Sequence, residues 1–274
     1  MNWKKSVVLK KAYRFGFDAL RPLVRPFSNG PIVMANSFPK SGTHLLLQVL
    51  EAFSLKDYGN FLASTPSITM IERHPTSMVS KIDRLVPGEL VSAHMFHNEI
   101  VNEALKQKEV THFFIYRDPR DVIVSECYYL SEMNKWHKLY QHFSQHDNIS
   151  DMIEMSINGI NTDDFYYPDI GTRMSRYTSW IVDDNVLAIK FEDLTGPNQK
   201  NVVTDIVNFF ATKNHSISID VNKTIDYAIQ SIAPEKSHTF RSGKSGKWKD
   251  YFSDKQTELM ARLASNELKT WGYE

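Results

Sequence analysis

Four short apolar runs punctuate the chain: PIVMANS (31–37), LVSAH (90–94), VTHFFIY (110–116) and NVLAIKF (185–191). They are rich in β-branched and aromatic residues with few polar interruptions, the pattern of strands covered on both faces. Between and after them, apolar positions recur at helical spacing over 42–54, 98–107, 119–133, 172–183, 198–211 and 253–270. Asp118 followed by Pro119 marks a helix start, an N-cap with proline at the first helical position. Strands alternating with helices predict a three-layer α/β fold around a central parallel sheet, with ligands beyond the carboxyl ends of the strands. No Pro/Gly/Ser linker, repeat or low-complexity tract divides the chain, so one domain spans 31–274 after a distinct segment, 1–30. Residues 131–175, rich in aromatics and methionine, read as a helical excursion that either walls a pocket or caps the sheet.

Composition narrows the classes. The chain has 274 residues, 42% hydrophobic and 23% charged, with a formal net charge of zero. That balance argues against general nucleic-acid affinity, which needs excess positive charge. Charge is uneven along the chain. Residues 1–30 carry Lys4, Lys5, Lys10, Lys11, Arg14, Arg21 and Arg25 against Asp18, giving +6 there and −6 elsewhere. Within residues 3–26, Trp3, Val7, Leu9, Tyr13, Phe17, Leu20 and Val24 approximate an apolar stripe beside these cations, interrupted by Pro22 and Pro26. Such a segment either lies on an anionic membrane surface or packs on the protein body. A single cysteine, Cys127, excludes an internal disulfide framework. No apolar run reaches the ~18–20 residues of a spanning helix, and no clean secretory signal opens the chain. The expectation is a cytoplasmic protein, with the N-x-[ST] triplets at Asn148, Asn214 and Asn222 left unmodified.

The candidate chemistry begins at SFPKSGTHLLLQVL (37–50), a strand end, a small-residue turn and an amphipathic helix. The nucleoside-triphosphate signature G-x-x-x-x-G-K-[ST] is absent, because Lys40 precedes Gly42. Backbone amides of Ser41, Gly42, Thr43 and His44 at the helix start suit an anion, with the helix dipole behind them. Gly42 permits close approach, the hydroxyls of Ser41 and Thr43 add donors, and Lys40 adds a mobile charge. The alternative is an ordinary strand-to-helix turn with an exposed lysine. A second strand–turn–helix, FFIYRDPRDVIVSECYYL (113–130), sets Arg117 at the strand end and Ser125 two turns into the helix, a pair suited to another phosphate.

FPKSGT together with YRDPRDVIVS resembles the phosphosulfate loop and the 3′-phosphate strand–helix of sulfotransferases that use 3′-phosphoadenosine-5′-phosphosulfate (PAPS). IKFEDL (189–194) and FRSGKSGKWKDYF (240–252) resemble two further motifs of that family, in the same order. The resemblance implies a P-loop-NTPase-like sulfotransferase fold, PAPS as sulfuryl donor and no metal. It implies that Lys40 stabilises the leaving phosphate, that Arg117 and Ser125 bind the 3′-phosphate, and that Arg241, Ser242 and Gly243 close over it. Ser41, Gly42, Thr43, His44 and Leu45 complete the expected nucleotide contacts. The family's catalytic histidine corresponds to His94, at the end of LVSAH, with His97 as fallback and His44 and His74 as weaker candidates. Glu126, adjacent to Ser125, points elsewhere on a helix and reads as structural. Glu192 and Asp193 read as a cap or tie for the helix after their strand.

Several positions depart from the family pattern. His44 replaces a threonine, Leu45 a tryptophan near adenine, Ser92 a lysine beside the catalytic histidine, and Ser242 a lysine with Lys244 and Lys247 nearby. Phe191 replaces a tyrosine, at a cost on the order of 0.5–1.5 kcal/mol of binding. Ser231 is the nearest candidate for an adenine-side serine. The family's C-terminal dimerising pattern is missing, which leaves the oligomeric state undetermined. The implied acceptor is a carbohydrate, glycolipid or small natural product bearing a hydroxyl, less readily an amine. Two rivals stand beside this reading: a nucleoside-triphosphate-dependent kinase-like transferase, and a catalytically silent nucleotide-binding or membrane-recruitment module. The first lacks the G-K-[ST] order, and Lys40 and His94 speak against the second.

Overall fold

A computed structural model describes residues 30–233 and 245–274. The basic segment 3–26 and the positions Arg241, Ser242, Gly243 and Lys244 lie outside the described residues. The elements run β1 (Val33–Ser37), α1 (Thr43–Leu50), β2 (Lys56–Ala63), α2 (Pro75–Ile82), β3 (Glu89–His94), α3 (Glu99–Gln107) and β4 (Thr111–Tyr116). They continue α4 (Pro119–Tyr128), α5 (Tyr140–Phe143), α6 (Ile149–Asn158), β5 (Ile160–Asn161), β6 (Tyr166–Tyr167), α7 (Ile170–Val182) and β7 (Val186–Lys190). The last helices are α8 (Phe191–Thr195), α9 (Gln199–Lys213), α10 (Val221–Ser231) and α11 (Asp254–Trp271).

The main sheet has five strands in the order β2-β3-β1-β4-β7, and every pairing in it is parallel. Alternate residues of each strand feed opposite cores. Val33, Ala35, Phe113 and Ile115 share a core with Leu46 and Val49 of α1, Val207 and Phe210 of α9, and Ile225 and Ala228 of α10. Met34, Val91, Phe114 and Tyr116 face the other side, against Ile82, Leu105, Trp180 and Trp271. Burial on both faces explains why these strands read as unbroken apolar runs.

The four strands expected from the sequence form, and β2, α2, α8 and α10 are among the elements that go beyond expectation. β2 is an edge strand with Gly59 and Asn60 in its middle and a register shift between Asp57 and Phe61. α2 is capped by His74, whose Nδ1 accepts from the Thr76 amide, with proline at the helix start. The expected helix 119–133 is α-helical only to Tyr128, and a π-helical turn over Tyr129–Met133 finishes it. The excursion is two short helices and a two-stranded ribbon, β5–β6, rather than helical throughout.

Because β1 lies between β3 and β4, the ends of β3, β1, β4 and β7 form one row. It carries His94, the turn after Ser37, Arg117 and Phe191 in that order. Buried Asn36 clamps the β3 end to β1: its Oδ1 accepts from the Met95 amide at 2.9 Å and its Nδ2 donates to the Met95 carbonyl at 3.1 Å.

Candidate active site

The turn after β1 is anchored below and open above. The Phe38 amide donates to the Ile115 carbonyl at 3.1 Å, and the buried Phe38 ring meets Tyr177 and Trp271 edge-on. The Ser41 amide donates to the Phe38 carbonyl at 3.1 Å, so it closes the turn instead of facing a ligand as the sequence implied. Two residues take positive φ, Lys40 at 66° and Gly42 at 99°. At Gly42 a Cβ would come within 2.7 Å of the Phe191 ring, so this position has neither the backbone nor the room for a side chain. No side-chain hydrogen bond caps α1, whose N-terminus follows directly. The Ser41 hydroxyl is buried and has no hydrogen-bond partner among the described residues.

Lys40 is not a mobile surface charge. Its Nζ sits 3.8 Å above the centre of the Tyr129 ring, in the π-helical turn. Burial lowers its pKa to about 8, with nearby Glu126 opposing the drop and Arg117 adding to it. The ammonium therefore still carries its proton at neutral pH, but it is poorly solvated.

His94 is half-buried at the end of β3. Its Nδ1 lies 3.0 Å from the Ser37 carbonyl and 2.9 Å from the Ser37 hydroxyl. A carbonyl oxygen only accepts, so Nδ1 carries the proton and Nε2 keeps a basic lone pair. The Ser37 hydroxyl also reaches Thr43 Oγ1 at 2.6 Å, linking the histidine to the start of α1. Burial, reinforced by the charge of Lys40, drops the His94 pKa to about 4 despite the backbone bond to Ser37, so the imidazole is neutral.

Beyond β4, Arg117 stacks over the Phe191 ring at 4.5 Å and meets Asp121 at 3.8 Å. Asp118 caps α4 by accepting from the Arg120 amide. Asp121 accepts from the amides of Gly246 at 2.7 Å and Trp248 at 2.9 Å, which docks the end of the late glycine-rich stretch beside Arg117. Glu192 does not cap its own helix: it accepts from the Asp118 amide and from the Tyr273 hydroxyl, tying the β4–α4 turn to the C-terminus.

One cavity of about 650 Å³ joins these groups. Lys40, Gly42, Thr43, His44, Leu45, His94, Arg117 and Ser125 line it, as do Ser92 and Phe191; Ser41 lies buried beneath the turn. Among the fallback histidines, His44 reaches it, whereas His97 packs on Trp180 and His74 caps α2. Ser92 donates to the Asn60 carbonyl, so it holds β2 on β3 rather than repeating a lysine's role. Ser231 does not line the cavity itself, but its hydroxyl donates to the carbonyl of Gln48, which does.

The sequence missed several lining groups. Phe61, Met70 and Phe96 form an apolar wall, completed by His137, Leu139 and Phe165 from the excursion. Glu126 turns to Arg173 at 2.9 Å and accepts from Ser156 and Tyr167, a buried ion pair that joins α4, α6, β6 and α7. Its carboxyl is held below the usual range; burial pushes it up, but Arg173 and the three hydrogen bonds outweigh that. Only tertiary contact reveals such partners.

The sulfotransferase domain family matches residues 31–272. The chain belongs to this family. Among curated relatives, sulfotransferase 6B1 of Danio rerio is 24% identical over 252 residues, covering 85% of this chain and 76% of that protein. Flavonol 3-sulfotransferase of Flaveria bidentis is 25% identical over 274 residues, covering 88% and 82%. A mouse sulfotransferase complexed with PAP shares the fold with a TM-score of 0.58 at 20% identity, covering 91% of this chain and 90% of the other. Retinol dehydratase in complex with androsterone and PAP aligns with a TM-score of 0.57 at 17% identity, covering 86% and 80%. The matched range includes the row of strand ends that carries the turn, Arg117 and His94.

Proposed function

We propose that this sulfotransferase transfers the sulfuryl group of PAPS to a hydroxyl of a small, largely apolar acceptor. The observation that carries the reading is the convergence on one cavity of three groups. These are an uncapped helix N-terminus with a buried lysine, the Arg117–Ser125 pair one strand away, and a histidine with Nε2 left basic.

The residues fit a doubly phosphorylated nucleotide. Gly42 leaves backbone open where a Cβ would collide, and the unpartnered Ser41 hydroxyl lies beneath the same turn. Lys40, Ser41, Gly42 and Thr43 would hold the 5′ end, with His44 and Leu45 flanking it. Arg117 and Ser125 would hold the 3′-phosphate, and the Gly246 amide, which donates to Asp121, brings the end of the late stretch to the same place. Roles for Arg241, Ser242 and Gly243 rest on the family resemblance alone. The PAP complex of the mouse sulfotransferase that shares this fold supports the choice of nucleotide.

The nucleotide supplies an activated sulfuryl group and a stable leaving phosphate. Nε2 of His94 takes the acceptor's hydroxyl proton as the oxygen–sulfur bond forms, a contribution of roughly 10²–10⁴-fold. Lys40 meets the negative charge that grows on the leaving oxygen; a preorganised donor of this kind contributes about 2.7–4 kcal/mol. Bringing a polyanion to Lys40 also raises its depressed pKa, which keeps the ammonium charged. The wall of Phe61, Met70, Phe96, Leu139 and Phe165 favours an apolar alcohol or phenol over a polyhydroxylated sugar.

The test is a hydroxyl-compound screen with sulfur-labelled PAPS in the presence of a metal chelator, repeated with Lys40→Met. Label should pass to an apolar hydroxyl compound, and the variant should lose about 10²–10³-fold in kcat. Equal turnover by Lys40→Met and the native protein would refute the assignment.

A further inference from the structure

Lys40 and Tyr129 come to the cavity from different parts of the chain. Lys40 sits in the turn after β1, and Tyr129 opens the π-helical turn that finishes α4, a kind of turn that recurs at functional sites. Tyr129 follows Ser125 by four residues, so the two share one helix face, and both line the cavity. The Lys40 ammonium stands 3.8 Å from the centre of the Tyr129 ring, well inside the ~6 Å over which an aromatic face attracts a cation. Among the described residues no carboxylate pairs with Lys40. Glu126, whose charge reaches it, is bonded to Arg173 at 2.9 Å.

The ring is fixed in place. Its hydroxyl accepts from Asn134 Nδ2 at 2.8 Å, the Asn134 amide donates to the Tyr129 carbonyl at 3.0 Å, and the side chain packs on the larger core. Burial raises the pKa of the hydroxyl against the opposing bond from Asn134, so Tyr129 is a neutral phenol and attracts through its face. That choice of partner matters at an anion site. A carboxylate beside Lys40 would also stabilise the ammonium, but it would repel an incoming polyanion. A ring face stabilises the buried cation and brings no net charge.

We propose that Tyr129 is the positioning residue of Lys40: its ring face stands in for water around the ammonium, so that the cavity holds a charged lysine ready for the anionic end of the nucleotide. Its effect on turnover rests on the role of Lys40 in the function proposed above; the contact itself does not.

The experiment keeps the shape of position 129 and changes its ring density. Tyr129→Phe retains the face, and one, two or three ring fluorines on the introduced side chain withdraw density stepwise at nearly constant volume. Lys40 is titrated in the nucleotide-free full chain by brief acetic anhydride pulses across pH, read by mass spectrometry of the peptide that carries it. Its pKa should stay close to the native value in Tyr129→Phe and fall with each fluorine, by about 2- to 30-fold in acid dissociation constant across the series. The charged and titratable groups that share the cavity with Lys40 on neighbouring elements are Glu126 and Arg173, Arg117 and Asp121, His44, His94 and His137. They are the same in every form, so their effects cancel along the series.

Turnover gives a second reading, with PAPS and a hydroxyl compound that the native chain sulfates. The alkaline limb of kcat/KM should move down in pH by the same steps, while rates well below the pKa of Lys40 converge. A merely structural tyrosine would lower the whole profile, or the melting temperature, and leave the limb where it was. An unchanged Lys40 titration across the fluorinated forms would overturn the proposal, as would shifts that do not follow the number of fluorines. Stepwise shifts without any sulfuryl transfer by the native chain would uphold the contact and refute the enzymatic reading instead.

Discussion

His94 should leave a signature in the pH dependence of stability. In the unfolded chain its pKa is the ordinary 6.5; in the fold, burial and Lys40 hold it at about 4. The folded state therefore binds fewer protons between those values, and its stability must fall as pH drops through 6.5 toward 4. Going from about pH 8 to about pH 5, this one imidazole removes about 2 kcal/mol of folding free energy, at 1.36 kcal/mol for each unit of separation traversed. The perturbation is His94→Asn, whose amide can still donate to the Ser37 carbonyl but does not titrate. Urea unfolding, followed by tryptophan fluorescence at several pH values, should show the native protein losing about 2 kcal/mol more than the variant over that span. Buried His112 and His137, lowered to about 3 and about 4 mainly by burial, add acid sensitivity common to both proteins, so the difference isolates His94. Sulfuryl transfer by the variant should drop roughly 10²–10⁴-fold at neutral pH. Parallel stability curves for the two proteins would refute the assignment of a desolvated, neutral His94, and with it the argument for Nε2 as the base.

Gly42→Ala should cost about 1–3 kcal/mol of stability, because its Cβ meets Phe191 in a left-handed backbone, and it should weaken stabilisation by adenosine 3′,5′-bisphosphate in thermal melts. Glu126→Gln leaves Arg173 buried without its counter-charge and should destabilise the fold by about 3–5 kcal/mol at neutral pH in urea titrations. The native Glu126 carboxyl lies below 4.5 in the fold, so its contribution is present above that pH and fades as pH falls below it. Asp121→Ala frees the amides of Gly246 and Trp248; it should raise KM for PAPS more than it lowers kcat, and quicken proteolysis near Trp248.

The parallel sheet was legible because its inner strands are covered on both faces. The run HFFIY in β4 is apolar at every position after the histidine, since alternate side chains enter different cores. β2 was not legible: it is an edge strand paired only to β3, and Gly59 and Asn60 interrupt any two-residue alternation. The π-helical turn was hidden too, because Tyr129–Met133 continues the helical pattern of α4 while its hydrogen bonds do not. That turn places Tyr129 beneath Lys40 and makes a nominal surface charge a buried one.

The candidate site divides along the same line. Residue order alone placed Lys40, Gly42 and Arg117 at strand ends and helix starts, with Ser125 two turns into the following helix, because a parallel sheet sends every such turn to one rim. It could not assign the proton on His94, which depends on a carbonyl 57 residues away in the chain. Nor could it identify the acceptor wall, which joins Phe61 and Met70 from one crossover with Leu139 and Phe165 from another. Local pattern determined which elements form and where anion-binding turns lie, since capping, turn chemistry and apolar spacing act within a few residues. Tautomer, charge state and pocket shape were decided by tertiary packing, because desolvation and hydrogen-bond partners come from segments that only the folded sheet brings together.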